Sequence, residues 1–214
     1  STILEFLWKC LGRDEYEGFD LLKATQAGRR RAFSQVSNLP VVIIESDRDG
    51  EKDAKQRQFG FDEMKPFFNG RGTGTLGVAT RSNATEEHLF QGALLIAQNA
   101  EVDGSEALLQ RIVHCHADKK HHTPGSREIA RWFERQRAED VGGFLTADLK
   151  AESAILDEYR KAFVEIEARY SASEALRNER VIKNHAQVAA CGCALSVLFP
   201  VFDQKLRDGL DEYL

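Results

Sequence analysis

The chain has 214 residues, 42% of them apolar and 29% charged with both signs mixed, and its formal net charge is −5. That length holds one domain with a hydrophobic core, or a core with a helical appendage. The composition excludes a disordered polyelectrolyte and a uniformly basic nucleic-acid coat, although a local basic cleft stays open because its field follows the charges that line it.

Cys10, Cys115, Cys191 and Cys193 form no CxxC pair and predict free thiols in a reducing, cytoplasmic compartment. The longest apolar stretch, 188–202, is interrupted by Pro200 and is too short to span a bilayer, so no membrane partner is expected. The chain begins without Met and directly in helical periodicity, which predicts a piece of a longer protein.

In chain order, Ile3, Leu4, Leu7, Trp8 and Leu11 recur at helical spacing and Gly12 is a natural stop. Residues 13–22 read as loop, and 24–36 as a second helix carrying Arg29, Arg30 and Arg31. After the break at Asn38-Leu39-Pro40, the run Val41-Val42-Ile43-Ile44 predicts a strand buried on both faces, as in a parallel sheet covered by helices. Residues 47–60 read as polar loop and 61–68 as a short helix or turn. Residues 70–91 read as a β-hairpin with a polar tip. Residues 93–97 predict another buried strand, 105–110 a short helix, and 111–116 a third strand. From Arg127 onward the pattern is helical, with helices expected around Ile129, Trp132 and Phe133, over 151–170 and over 180–199. Strands in the first half and helices in the second predict an α/β core over 1–123 and a helical subdomain over 124–214.

Five positions carry possible chemistry. Ser1-Thr2 opens a helix, as does the end of a phosphate loop, GxxxxGK(S/T), whose last hydroxyl binds Mg²⁺. The Gly and Lys of that motif are absent, and Ser and Thr cap helices of every kind. The buried run 41–44 leads into Glu45-Ser46-Asp47, so a carboxylate would stand at the C-terminal edge of the sheet, where open α/β folds bind ligands. There it would hold a metal's water shell or polarise an attacking water; the alternative is a strand that merely ends in polar residues. The strand at 93–97 leads into Gln98-Asn99, an amide placed to orient water or a simple turn initiator. Arg111 closes a short helix, as a trans-acting arginine finger does and as a solvated surface Arg also does. His114 and His116 would share one face of a strand as a possible metal edge. No second, well-spaced ligand cluster accompanies them.

The order of these pieces carries a resemblance. The segments KATQAGRRRAFSQVSNLPVVIIESDRD, FQGALLIAQNAEVDGSEALLQRIVH and RVIKNHAQ are similar to the ATPase domains of plasmid, phage and integrative-element primase–helicases, P-loop ATPases of the AAA+ and superfamily-3 kind. The resemblance implies an incomplete P-loop core, with a parallel sheet, flanking helices and a hairpin insertion, followed by a helical C-terminal subdomain. It implies a DNA-helicase motor that hydrolyses ATP with Mg²⁺ as a homo-oligomeric ring on single-stranded DNA, the present piece being inactive alone. Ser1 and Thr2 would end the phosphate loop, with Ser1 and Glu45 on Mg²⁺. Glu45 and Asp47 would be the acids, Asn99 the sensor amide, Arg111 the finger, and Arg180 and Lys183 cations from the helical part. Arg71 and Arg81 on the hairpin would touch DNA phosphates. Two departures stand out: Ser46 replaces the usual second acid, and the hairpin tip 82–85 lacks the Lys or His often found there. A catalytically inactive ATPase-like structural or DNA-binding module is the alternative reading.

Overall fold

A computed structural model describes residues 2–13, 25–35, 40–44, 61–72, 74–77, 84–87, 89–97, 102, 104–116, 120, 122–173 and 176–202. It is mixed α/β and mostly helical. The chain divides into two compact units, one of Ser1–Trp8 and Glu15–Leu109, the other of Lys9–Asp14 and Gln110–Leu214.

The first unit holds the strands. Helix α1 (Thr2–Cys10) buries Trp8 and stops as expected: Gly12 takes φ +81° and its N–H donates to Lys9 O at 2.9 Å, a left-handed turn that glycine makes without a Cβ penalty. Helix α2 (Gln26–Gln35) is capped by Thr25, whose Oγ1 accepts from Gly28 N at 3.1 Å, and it buries Phe33.

Strand β1 (Val41–Ile44) is the expected apolar run, and Val41, Val42 and Ile43 are all buried. Successive side chains point to opposite faces of a strand, so burial of all three means that both faces are covered. A 3-10 helix follows over Phe61–Asn69, then the hairpin strands β2 (Thr75–Gly77) and β3 (Thr85–Glu87), and then β4 (Leu94–Ala97). β1 pairs with β4 in parallel, Val41 opposite Leu94 through Ile44 opposite Ala97, and Val41 N extends the ladder to Ala93 O at 2.8 Å. β2 and β3 pair antiparallel, with Leu76 opposite Glu86. The predicted hairpin is therefore present; of its expected tip, 82–85, Thr85 instead opens β3, and residues 78–83 lie outside the described residues.

The core here is Phe33, Val41, Ile43, Met64 and Phe90, with Phe61, Phe67, Leu94 and Ile96 packed against it. Phe33, Phe67 and Phe90 form an aromatic trio, with ring centroids 4.5–5.6 Å apart, a spacing at which edge-to-face geometry adds to area burial. Every residue of β4 is only half-buried, so the expectation of a second fully buried strand is corrected. Among the described residues β4 has one neighbour, β1, and its other edge has no ladder to cover it. Helix α3 (Glu106–Leu109) starts at Ser105, whose hydroxyl accepts from Leu108 N and donates to Asp62 Oδ1 at 2.9 Å. That bond is the first cause holding the Asp62 carboxyl below its ordinary value, and Lys65 adds to it.

The expected third strand over 111–116 does not form: residues 110–112 turn and 113–116 run on without a ladder. Only Ile112 and Val113 are β-branched there, and the carbonyl of Gln110 is taken by the Asn184 side chain instead of a strand partner. His114, Cys115 and His116 are all exposed, which removes the shared strand face proposed for the two histidines.

The second unit is helical, as expected. It runs through α4 (Ser126–Arg135), α5 (Ala138–Val141), α6 (Gly143–Lys150), α7 (Glu152–Ser171) and α8 (Glu179–Ala194), with 3-10 turns over Leu195–Val197 and Pro200–Phe202. Its core joins Ala162, Ile166 and Tyr170 of α7 to Ile182, Ala186, Ala189, Ala190 and Cys193 of α8. Four of these eight are alanines, small enough to let two helix backbones approach closely. The two helices share this core and are joined by the short connection 172–178, so they pack as an antiparallel αα-hairpin.

Asn178 caps α8, its Oδ1 accepting from Arg180 N at 3.0 Å and Val181 N at 3.3 Å. Asn178→Ala removes both bonds, and urea denaturation followed by circular dichroism is expected to show a loss of about 1 kcal/mol. Among the described residues no helix is long and apolar enough to cross a membrane.

Candidate functional site

The chemistry-bearing positions fall into three groups. In the first unit, the β1–β4 register ends two parallel strands side by side, at Ile44 and Ala97. Glu45 is bonded directly to the first and Gln98-Asn99 to the second. Ser1, Glu45, Asp47, Arg81 and Asn99 lie outside the described residues. Thr2 is the first residue of α1 and is half-buried.

The second group is on the hairpin. Arg71 makes a two-pronged contact with Glu87: Nε donates to Oε1 at 2.9 Å and Nη2 to Oε2 at 2.6 Å. Gly72 N adds a third bond to Glu87 Oε1 at 3.1 Å. The guanidinium fork matches a carboxylate in this way. The Arg71 bond is the first cause holding the Glu87 carboxyl below its ordinary value, with a further contribution from Gly72 N, while Glu87 raises Arg71. A DNA phosphate at Arg71 would have to compete with this two-pronged carboxylate contact.

The third group, in the second unit, was not anticipated. Arg180 and Asn184 stand one turn apart on α8 and both reach Gln110: Arg180 Nη1 donates to Gln110 Oε1 at 3.5 Å, and Asn184 Nδ2 to Gln110 O at 2.9 Å. Asn184 is 6% exposed, the only buried polar residue among those described. A buried amide costs stability unless it is bonded, and this one uses its donor to fix the turn that carries Arg111. The half-buried Arg111 has its Nε out of contact with solvent. Two of the predicted cations, Arg111 and Arg180, are therefore brought to one turn.

Lys183 is not part of that cluster; it pairs with Glu179 one turn back at 2.7 Å, and each shifts the other's titration in the direction that favours the charged pair. Asn184 is one of several polar residues in α8, with Glu179, Arg180, Lys183, His185 and Gln187, and nothing in its type marks it as the buried one. Only the Arg180–Asn184 spacing of i, i+4 hinted at a shared ridge. Among the described residues no group of three or more His, Cys, Asp or Glu is placed to hold a metal ion.

The class that these observations define is a mixed α/β core with a parallel strand pair and a separate helical unit. No protein-family model, no curated protein and no solved structure matches the chain.

Proposed function

We propose that this chain is part of an ATP-hydrolysing motor domain, of the kind found in DNA helicases and primase–helicases of mobile elements, working as a homo-oligomeric ring on single-stranded DNA. The observation that carries the reading is the parallel, in-register pairing of β1 with β4. It makes neighbours of the acid-tipped strand and the amide-tipped strand, the arrangement a P-loop ATPase needs to set a carboxylate and a water-orienting amide beside one γ-phosphate. The grip of α8 on the Gln110–Arg111 turn supports it further, because Arg111 and Arg180 together offer donors suited to a phosphoryl group.

In this reading water attacks the γ-phosphate, Glu45 or Asp47 receives its proton, and Asn99 orients it. ATP and Mg²⁺ are the required cofactors, with Ser1 and Glu45 as the residues that would hold the ion. The reading requires a Gly- and Lys-bearing phosphate loop ending at Ser1, which the 214 residues do not contain.

The test is ATP hydrolysis by the chain extended on its N-terminal side, with and without single-stranded DNA. DNA-stimulated turnover is the expected result. Tight ATP binding by the 214-residue chain alone would contradict the reading. No hydrolysis by a folded, assembled, extended chain would leave the catalytically inactive structural or DNA-binding module.

A further inference from the structure

Helix α4 presents a surface that the motor reading does not use. Its ten residues, SREIARWFER, bury none of their side chains. Ile129 and Trp132 are 55% and 49% exposed, unusual for large apolar groups.

The helix is nonetheless firmly ended. Ser126 Oγ accepts from Thr123 N at 2.9 Å while Ser126 N donates to Thr123 O, which closes the entry. At the exit the Gln136 N–H turns to Phe133 O, Gln136 Nε2 donates to Trp132 O at 3.0 Å, and Arg135 Nε adds a second bond to Arg131 O at 3.2 Å.

With 3.6 residues per turn, Arg127, Arg131 and Arg135 at i, i+4 and i+8 form one ridge, and Trp132 stands on its flank. Arg127 and Arg131 are exposed, and their guanidinium groups make no ion pair among the described residues. Helix α4 carries three Arg against two Glu, and Arg137 just beyond it pairs with Glu139 and Asp140, in a chain whose net charge is −5. The Arg127–Arg131–Arg135 ridge is therefore a local excess of positive charge against the overall sign, with a half-exposed aromatic ring on the same helix.

We infer that the exposed face of α4 binds single-stranded nucleic acid, with Trp132 stacking on a base and Arg127 and Arg131 contacting phosphates. A cationic track beside an aromatic platform is how proteins hold single strands without reading their sequence. The alternative occupant, an anionic membrane surface, is less suited. The apolar face offers only Ile129 and Trp132 as exposed large groups, with Phe133 half-buried, too little apolar area to seat a helix in a bilayer surface.

The site is independent of hydrolysis, so its test contains no nucleotide and does not stand or fall with the ATPase. A short fluorescein-labelled oligothymidylate is titrated with the 214-residue chain at several salt concentrations, reading anisotropy and tryptophan emission. Trp8 is 3% exposed and Trp132 is the only other tryptophan, so quenching on binding reports Trp132.

Trp132→Ala is expected to weaken binding about 10-fold or more. Arg127→Ala with Arg131→Ala is expected to lower the salt slope by about 1.4, at roughly 0.7 for each phosphate of a single strand that is no longer neutralised. Circular dichroism confirms that both variants fold, and the arginine pair, being exposed, tests the idea even if the Trp132 variant does not. Unchanged affinity and slope in the folded variants would overturn the inference, placing any DNA contact elsewhere, such as on the hairpin. So would failure of the folded wild-type chain to bind the oligonucleotide. Binding to phosphatidylserine–phosphatidylcholine vesicles that depends on Trp132, without such dependence for the oligonucleotide, would assign the face to lipid.

Discussion

Glu45→Gln, placed in the chain extended on its N-terminal side, is expected to lower DNA-stimulated ATP hydrolysis by about 10²–10⁴-fold, the range for removing a positioned general base. The substitution keeps the shape of the side chain and removes its charge, so nucleotide binding and assembly are expected to persist while turnover collapses. The reason for singling out Glu45 is its place in the chain: it is the first residue beyond Ile44, opposite which β4 ends at Ala97.

Ser46 makes the assignment a real question, because the position where a second acid is usual carries a hydroxyl. Asp47→Asn is therefore measured in parallel. Loss in the Glu45 variant alone names Glu45 as the group that takes the proton from water. Loss in the Asp47 variant alone moves that role two residues on. Turnover unchanged in both, in an enzyme that hydrolyses ATP, would show that the acid-tipped strand is an ordinary strand end and would remove the main support for the reading.

Much of the architecture was legible because single local signals dominated it. Val41-Val42-Ile43-Ile44 has no polar alternation, and a strand without alternation must be covered on both faces; Val41, Val42 and Ile43 are indeed buried. Gly12 ended α1 because only a residue without a Cβ turns left-handed at no cost. The long helices α7 and α8 were visible from their periodicity.

What was not legible depends on partners far apart in the chain. The sequence around Arg111–His116 has a β-branched pair and so reads as strand. In the structure residues 110–112 turn instead, and the Asn184 amide binds the Gln110 carbonyl from 74 residues away. Arg71 reads as a free cation until the hairpin register brings in Glu87, 16 residues on. The burial of Trp8 and the exposure of Trp132 could not be told apart by spacing, since both sit in amphipathic helices and only packing distinguishes them. Among the site residues, Arg180 was legible as a cation but not as a grip on the Arg111 turn, and Asn184 was not legible at all.

The largest stability effect is expected at Ile43. Its side chain is 0% exposed and packs among Phe33, Val41, Met64 and Phe90. Ile43→Ala deletes three carbon atoms from this cluster, and the rigid aromatic trio beside it limits how far the space can close. A loss of about 2–5 kcal/mol follows, combining the transfer term with the cavity term. Ile43→Val removes one carbon and is expected to cost about 0.5–1.5 kcal/mol. Ile3→Ala, at a side chain 65% exposed, is expected to stay within about 0.5 kcal/mol.

Urea denaturation in a Trp132→Phe background reads this series through Trp8, which belongs to the same unit as β1. If Ile43→Ala cost no more than Ile3→Ala, the β1 core would not be the close-packed element described. Because Ile43 stands two residues before Glu45, the same series separates support from chemistry. Ile43→Val in the extended chain is expected to keep most of its turnover while Glu45→Gln does not, since loss of one carbon leaves the pairing of β1 with β4 in place and removes no charge.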